Sequence, residues 1–145
     1  MHKTFTIADT SPAAASTVAG SIITGLQFYP FLRIDARLVG AAGGALDVYL
    51  QRMIKPNAWA DWIHFTQLAA AASAINYSAI VGPGLSTTIT TSNRGVDATP
   101  GVTLAGGNFV GGHPGDVVRA VYVAGVSTSA GAAVTIDIGG WGQFR

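Results

Sequence analysis

The sequence predicts an all-β chain, a jelly-roll-like antiparallel β-sandwich of about eight strands. Three observations carry this expectation. Glutamate is absent and Lys occurs twice, while Val, Ile and Thr together number 38 of 145 residues, so charged helix formers give way to β-branched residues. Several segments alternate apolar and polar residues with a period of two. Nineteen Gly and six Pro punctuate the chain at intervals suited to short strands.

Residues 3–8 (KTFTIA) alternate and form a first strand. Residues 9–19 are rich in Ser, Pro and Ala, and 1–19 as a whole reads as an N-terminal region with an extended arm. A short strand over 20–28 is broken by Gly25. In 31–39, Leu32, Ile34, Ala36 and Leu38 share one face and Arg33, Asp35 and Arg37 the other. After a Gly/Ala turn, 45–53 alternates again, with Leu46, Val48 and Leu50 inward and Asp47, Tyr49 and Gln51 outward. These two outward rows are expected to pair Arg with Asp and Tyr across a hairpin. Lys55-Pro56-Asn57 marks the next turn. Residues 60–68 form a strand with Ile63 and Phe65 inward and Trp62 and His64 outward. Strands over 75–81 and 86–91 follow, then a long Gly/Pro-rich connection over 92–116. Segments 117–125 and 132–141 close a single domain spanning 1–145. A chain of this length buries roughly 70% of its unfolded surface and needs no disulfide or metal to hold its core.

Two segments echo one another. In 31–51 and 117–140 a strand with an early Arg leads through a Gly/Ala/Ser loop to a strand with an outward Asp. Aligning Arg33 with Arg119 places Leu32 over Val118 and Ile34 over Ala120, and a longer loop brings Asp47 over Asp137. The expectation is a repeated β-hairpin. If Val118, Ala120 and Tyr122 face the core, Val121 and Val123 face outward on a covered surface. The cover is either the chain's own loops or a neighbouring subunit.

Charge excludes some functions. The net charge is +1 with 10% charged residues, and the Arg residues are scattered, which is unsuited to nucleic-acid binding by counterion release. So sparse a charge suits a protein packed against neighbours. No apolar run is long enough for a helical membrane span, and Asp9 and Pro12 interrupt any signal-peptide core near the start. With no Cys there is no thiolate metal site or disulfide framework.

Catalytic patterns are weak. His2, His64 and His113 show no metal-binding spacing, no G-x-S-x-G elbow occurs, and no Gly-rich phosphate loop is present. No cofactor is expected. His64 reads as a surface or interface residue and His113 as a solvated turn residue. Asn76-Tyr77-Ser78 is a formal glycosylation sequon on an expected strand. Trp59 and Trp62, near Asn57 and Asp61, fit either packing and interface anchoring or a sugar-binding platform.

The run LRIDARLVGAAGGALDVYLQR, the Trp-containing turn, WIHFTQL and the closing VVRAVYVAG…AAVTIDIGG resemble small β-sandwich structural proteins of tailed bacteriophages. The similarity covers 29–68 and 116–141 and points to jelly-roll capsid cement (decoration) proteins of short-tailed phages. It implies a non-enzymatic virion protein, assembled in the host cytoplasm, on the outer surface of the head. There it would bind the major capsid protein, join capsomers and associate with itself as a homodimer or other homo-oligomer, without nucleic acid or membrane. On this reading Thr10, Pro12, Trp59, Trp62, Val121 and Val123 are the candidate protein-interface residues. The alternatives are a carbohydrate-binding sandwich and a minor tail or head-completion component.

Overall fold

The computed structural model describes residues 2–10, 17–39, 45–56, 58–65, 75–82, 108–109, 113–124 and 133–142. Within them lie nine strands: β1 (His2–Thr10), β2 (Thr17–Ile23), β3 (Phe31–Val39), β4 (Leu46–Lys55), β5 (Ala58–His64), β6 (Ile75–Val81), the two-residue β7 (Asn108–Phe109), β8 (Val118–Ala124) and β9 (Ala133–Trp141). A single 3-10 turn, Leu26–Phe28, is the one helical element among the described residues.

The strands make two antiparallel sheets, ordered β1-β9-β3-β6 and β2-β8-β4-β5-β7. With the short β7 set aside, the pairing is nested. β4 pairs with β5, β3 with β6, β2 with β8 and β1 with β9. The chain is thus one long ladder doubled back at the β4–β5 turn and rolled up. Rolling lays β9 against β3 and β8 against β4. This is the jelly roll that the composition and alternation predict.

The inward rows are those read from the sequence. Leu32, Ile34, Ala36 and Leu38 of β3 meet Leu46, Val48 and Leu50 of β4, Val118, Ala120 and Tyr122 of β8, and Val134, Ile136 and Ile138 of β9 in one core. Each fully buried Leu, Ile or Val in that core contributes about 1.5–3 kcal/mol relative to exposure.

Several expectations change. The echoed segments are not hairpins: β3 lies in the first sheet and β4 in the second, and β8 and β9 are divided the same way. Each of these strands finds one of its two hydrogen-bond partners in the other unit, and the two strands of a unit lie in opposite sheets. Exchanging β3 with β8 and β4 with β9 maps the β3–β9 pairing onto the β8–β4 pairing. The echo therefore records two interlocked crossovers of opposite direction. For the same reason Arg33 and Arg37 cannot reach Asp47 or Tyr49. Arg33 pairs instead with Asp35 of its own strand, Nε to Oδ2 2.8 Å.

Residues 1–19 are not an arm as a whole, because 2–10 form an edge strand on β9 and 17–19 begin β2. Phe5 and Ile7 supply the apolar contacts that hold β1 down. Trp62 faces the core. Leu50 pairs with Ile63 and Gln51 with Asp61, so one residue of β5 is extra, and this bulge turns Trp62 inward alongside Ile63. Finally, 108–109 within the long connection pair with β5. The expected strand over 86–91, most of 92–116 and Pro12 lie outside the described residues.

One end of the roll is clasped. Gly25 takes φ 92°, a left-handed conformation that favours glycine, and its N–H donates to the Asp116 carboxylate. His113 accepts at Nδ1 from the Gly115 N–H (3.1 Å), which leaves Nε2–H to donate to the Tyr29 carbonyl at 2.8 Å. His113 is thus a half-buried fastener between 113–116 and the 25–29 turn rather than a solvated turn residue.

Candidate functional site

Two outer faces position the polar and aromatic side chains singled out in the sequence. The outer face of the β2-β8-β4-β5 sheet is built in rows. Ala19, Val121, Tyr49 and His64 form one row, and Ile22, Arg119, Gln51 and Asp61 the next. Val123 and Asp47 pair in a third, with Thr17 next in register. The expected outward orientation of Asp47, Tyr49, Gln51, Val121 and His64 holds, but most of this face is buried. Val121, Gln51 and Asp61 are completely inaccessible and His64 is 8% exposed.

The rows satisfy their own polar groups. Arg119 donates to Gln51 Oε1 from Nε (3.0 Å) and Nη2 (2.8 Å), and Gln51 Nε2 donates to Asp61 Oδ1 (2.8 Å). The guanidinium lies 4.2 Å from the centroid of the Trp59 ring. His64 stacks on Tyr49 at 4.0 Å between centroids, and its Nε2 is 3.2 Å from Asp47 Oδ1. Burial lowers the Arg119 pKa from its ordinary value. Tyr49 is pushed up to about 12, first by burial and then by the carboxylates of Asp47 and Asp61, and Tyr122 is raised to about 12 by burial in the core.

Both shifts favour the neutral phenol in the folded state. The stability they supply is complete below the ordinary tyrosine value near 10 and is lost as pH rises toward 12. After allowance for solvent screening, each Tyr is expected to contribute on the order of 1–2 kcal/mol. Denaturant titrations at intervals from about pH 9 to about pH 12 should show a falling midpoint, and replacing Tyr49 with Phe should shrink the fall.

The candidate interface residues divide on this geometry. Trp59 is 5% exposed beneath Arg119, and Trp62 and Val121 have no exposed surface. Trp62 and Val121 present no surface to a partner in this conformation and Trp59 very little, and Val121 is covered within the single chain. Val123 is half-buried. Thr10 ends β1 opposite Val134, and its side chain is outside the described set. His64, expected at a surface, belongs to the buried rows.

The outer face of the other sheet is open and polar. Asp35 of β3 and Asp137 of β9 sit directly opposite one another. Ser78 Oγ donates to Asp35 (2.8 Å) and Thr6 Oγ1 to Asp137 (2.7 Å), which with Arg33 offsets the repulsion between the carboxylates. Asp35, Arg37, Asn76, Ser78, Thr135 and Asp137 line a shallow depression of about 320 Å³. Toward one end of this face Phe31 and Trp141 stack at 5.9 Å. Among the described residues no three His or Asp side chains converge as metal ligands.

Sequence reasoning missed the exposed apolar side chains. Ile22 is 55% exposed, Phe28 59%, Ile54 44% and Ile80 44%. The first three lie on β2, the 26–28 turn and β4, elements that 116–119 links at the clasped end: Ile22 pairs with Arg119, the Leu26 N–H donates to the Asp116 carbonyl and the Met53 N–H to the Val117 carbonyl. Ile54 is turned out by a register shift between Met53 and Lys55, which the alternation does not announce. No family model, curated protein or solved structure matches this chain.

Proposed function

We propose that this chain is a non-enzymatic virion protein that binds the outside of a bacteriophage head and cements joints between capsomers of the major capsid protein. The observation that carries the reading is the exposure of Ile22, Phe28 and Ile54, on elements that meet at the clasped end of a chain with only 10% charged residues. Exposed apolar side chains of this size on neighbouring elements suit a contact with another protein surface. The segments resembling phage head proteins supply β3 and β9 of one sheet and β4, β5 and β8 of the other, so the similarity lies in the scaffold that carries this end. The sugar-binding alternative loses support, since Trp59 and Trp62 form no exposed platform.

Binding only the closed joint would stabilise it by mass action, and a homodimer spanning two capsomers gains from effective concentration at its second contact. The test is thermal melting of heads lacking this protein, with and without the purified chain. Added protein is expected to raise the melting temperature saturably, and Phe28→Asp is expected to abolish the rise while leaving the free protein folded. No binding by the unsubstituted chain would end this reading.

A further inference from the structure

We propose that β6 is the self-association edge, pairing antiparallel with β6 of a second copy across a two-fold axis. The inference deepens the head-protein reading by assigning the homodimer contact, and its self-association component can be tested without heads.

The argument is a comparison of edges. An exposed strand edge templates pairing with another chain unless it is short, bulged, charged or interrupted by Pro. Among the described residues the rolled ladder has four edge strands: β1, β6, β2 and β7. β1 carries Lys3 and Asp9 and shifts register between Thr6 and Ala8. β2 shifts register between Ala19 and Ile22 and contains Gly20. β7 has two described residues, Asn108 and Phe109. β6, INYSAIV, has none of these protections. It is seven residues long, pairs with β3 in unbroken register from Ile75 to Val81, and contains no charge, Pro or Gly. Asn76, Ser78 and Ile80 are exposed on it.

Self-pairing is also electrostatically compatible. An antiparallel two-fold centred on Ser78 sets Asn76 opposite Ile80 of the copy, and with no charge on β6 no like-charged pair meets at the seam. The size is adequate. Seven residues span about 24 Å, and the side of a two-sheet sandwich with its outer side chains is about 20 Å thick, giving on the order of 500 Å² per copy. The total, on the order of 1,000 Å², reaches the lower bound of a specific interface. The product is a continuous eight-stranded sheet, β1-β9-β3-β6 doubled about its edge.

The experiment is sedimentation equilibrium of the full chain and of Ser78→Lys, Ile80→Lys and Thr4→Lys, the last on the opposite edge. Circular dichroism and melting of each variant confirm folding. The expected result is a dimer for the unsubstituted chain and for Thr4→Lys, with dissociation constants at least about tenfold weaker for the two β6 variants. Amides of β6 should also exchange more slowly in the dimer than in the folded Ile80→Lys monomer. A monomeric unsubstituted chain, or a dimer equally insensitive to both folded β6 variants, would overturn the proposal. Either result leaves head binding to be judged by particle melting.

Discussion

Replacing Trp62 with Ala is expected to remove about 3–5 kcal/mol of folding stability. The indole is completely buried in the core, placed there by the β5 bulge that stacks it into the same layer as Ile63. Removing it deletes the transfer free energy of a large aromatic side chain. It also leaves a cavity that a two-sheet core, held open by hydrogen-bonded strands on both sides, cannot close fully. Trp62→Phe should recover a large part of the loss, because a ring still fills the layer. Urea titration of the three proteins reads the difference. A loss below about 1 kcal/mol for Trp62→Ala would mean that the indole sits at a surface and that the bulge is misassigned.

Gln51→Leu is expected to cost about 2–4 kcal/mol, although it replaces a polar side chain by an apolar one at a fully buried position. Gln51 joins a cation to an anion, accepting two hydrogen bonds from Arg119 and donating one to Asp61. Leucine has the volume but neither function. It would remove these contacts from a guanidinium packed on Trp59 and from a carboxylate with no solvent exposure. The hydrophobic gain of one Leu is smaller than the cost of leaving such groups under-bonded. Asp61→Asn preserves an acceptor for Gln51 Nε2 and should cost less. If Gln51→Leu proved neutral, the outer face of this sheet would be hydrated and its network a surface feature.

Both results bear on how much the sequence revealed. The inward rows of β3, β4, β8 and β9 were legible because period-two alternation depends only on the local pleat, and each strand obeys it regardless of its neighbours. Trp62 was misplaced because the alternation was carried through a bulge, and a bulge is set by register against β4. The echo of 31–51 in 117–140 was visible, but its meaning was not. A strand–loop–strand pattern is the same whether the second strand turns back beside the first or crosses to the opposite sheet. The apolar end was missed for a related reason. Ile54 is distant in the chain from Ile22 and Phe28, and the elements that carry them are linked by 116–119.

Propensity, alternation and composition act within a few residues, and they suffice to fix a β protein, the residues of its core rows and a surface with few charges. The nesting of the strands, the burial of Trp59, Trp62 and Val121, the Arg119–Gln51–Asp61 chain, and the contrast between the regular β6 edge and the bulged edges of β1 and β2 emerge only on folding. Those depend on hydrogen bonds and contacts between residues distant in sequence, and their geometry is fixed only when the ladder rolls up and each strand acquires its neighbours.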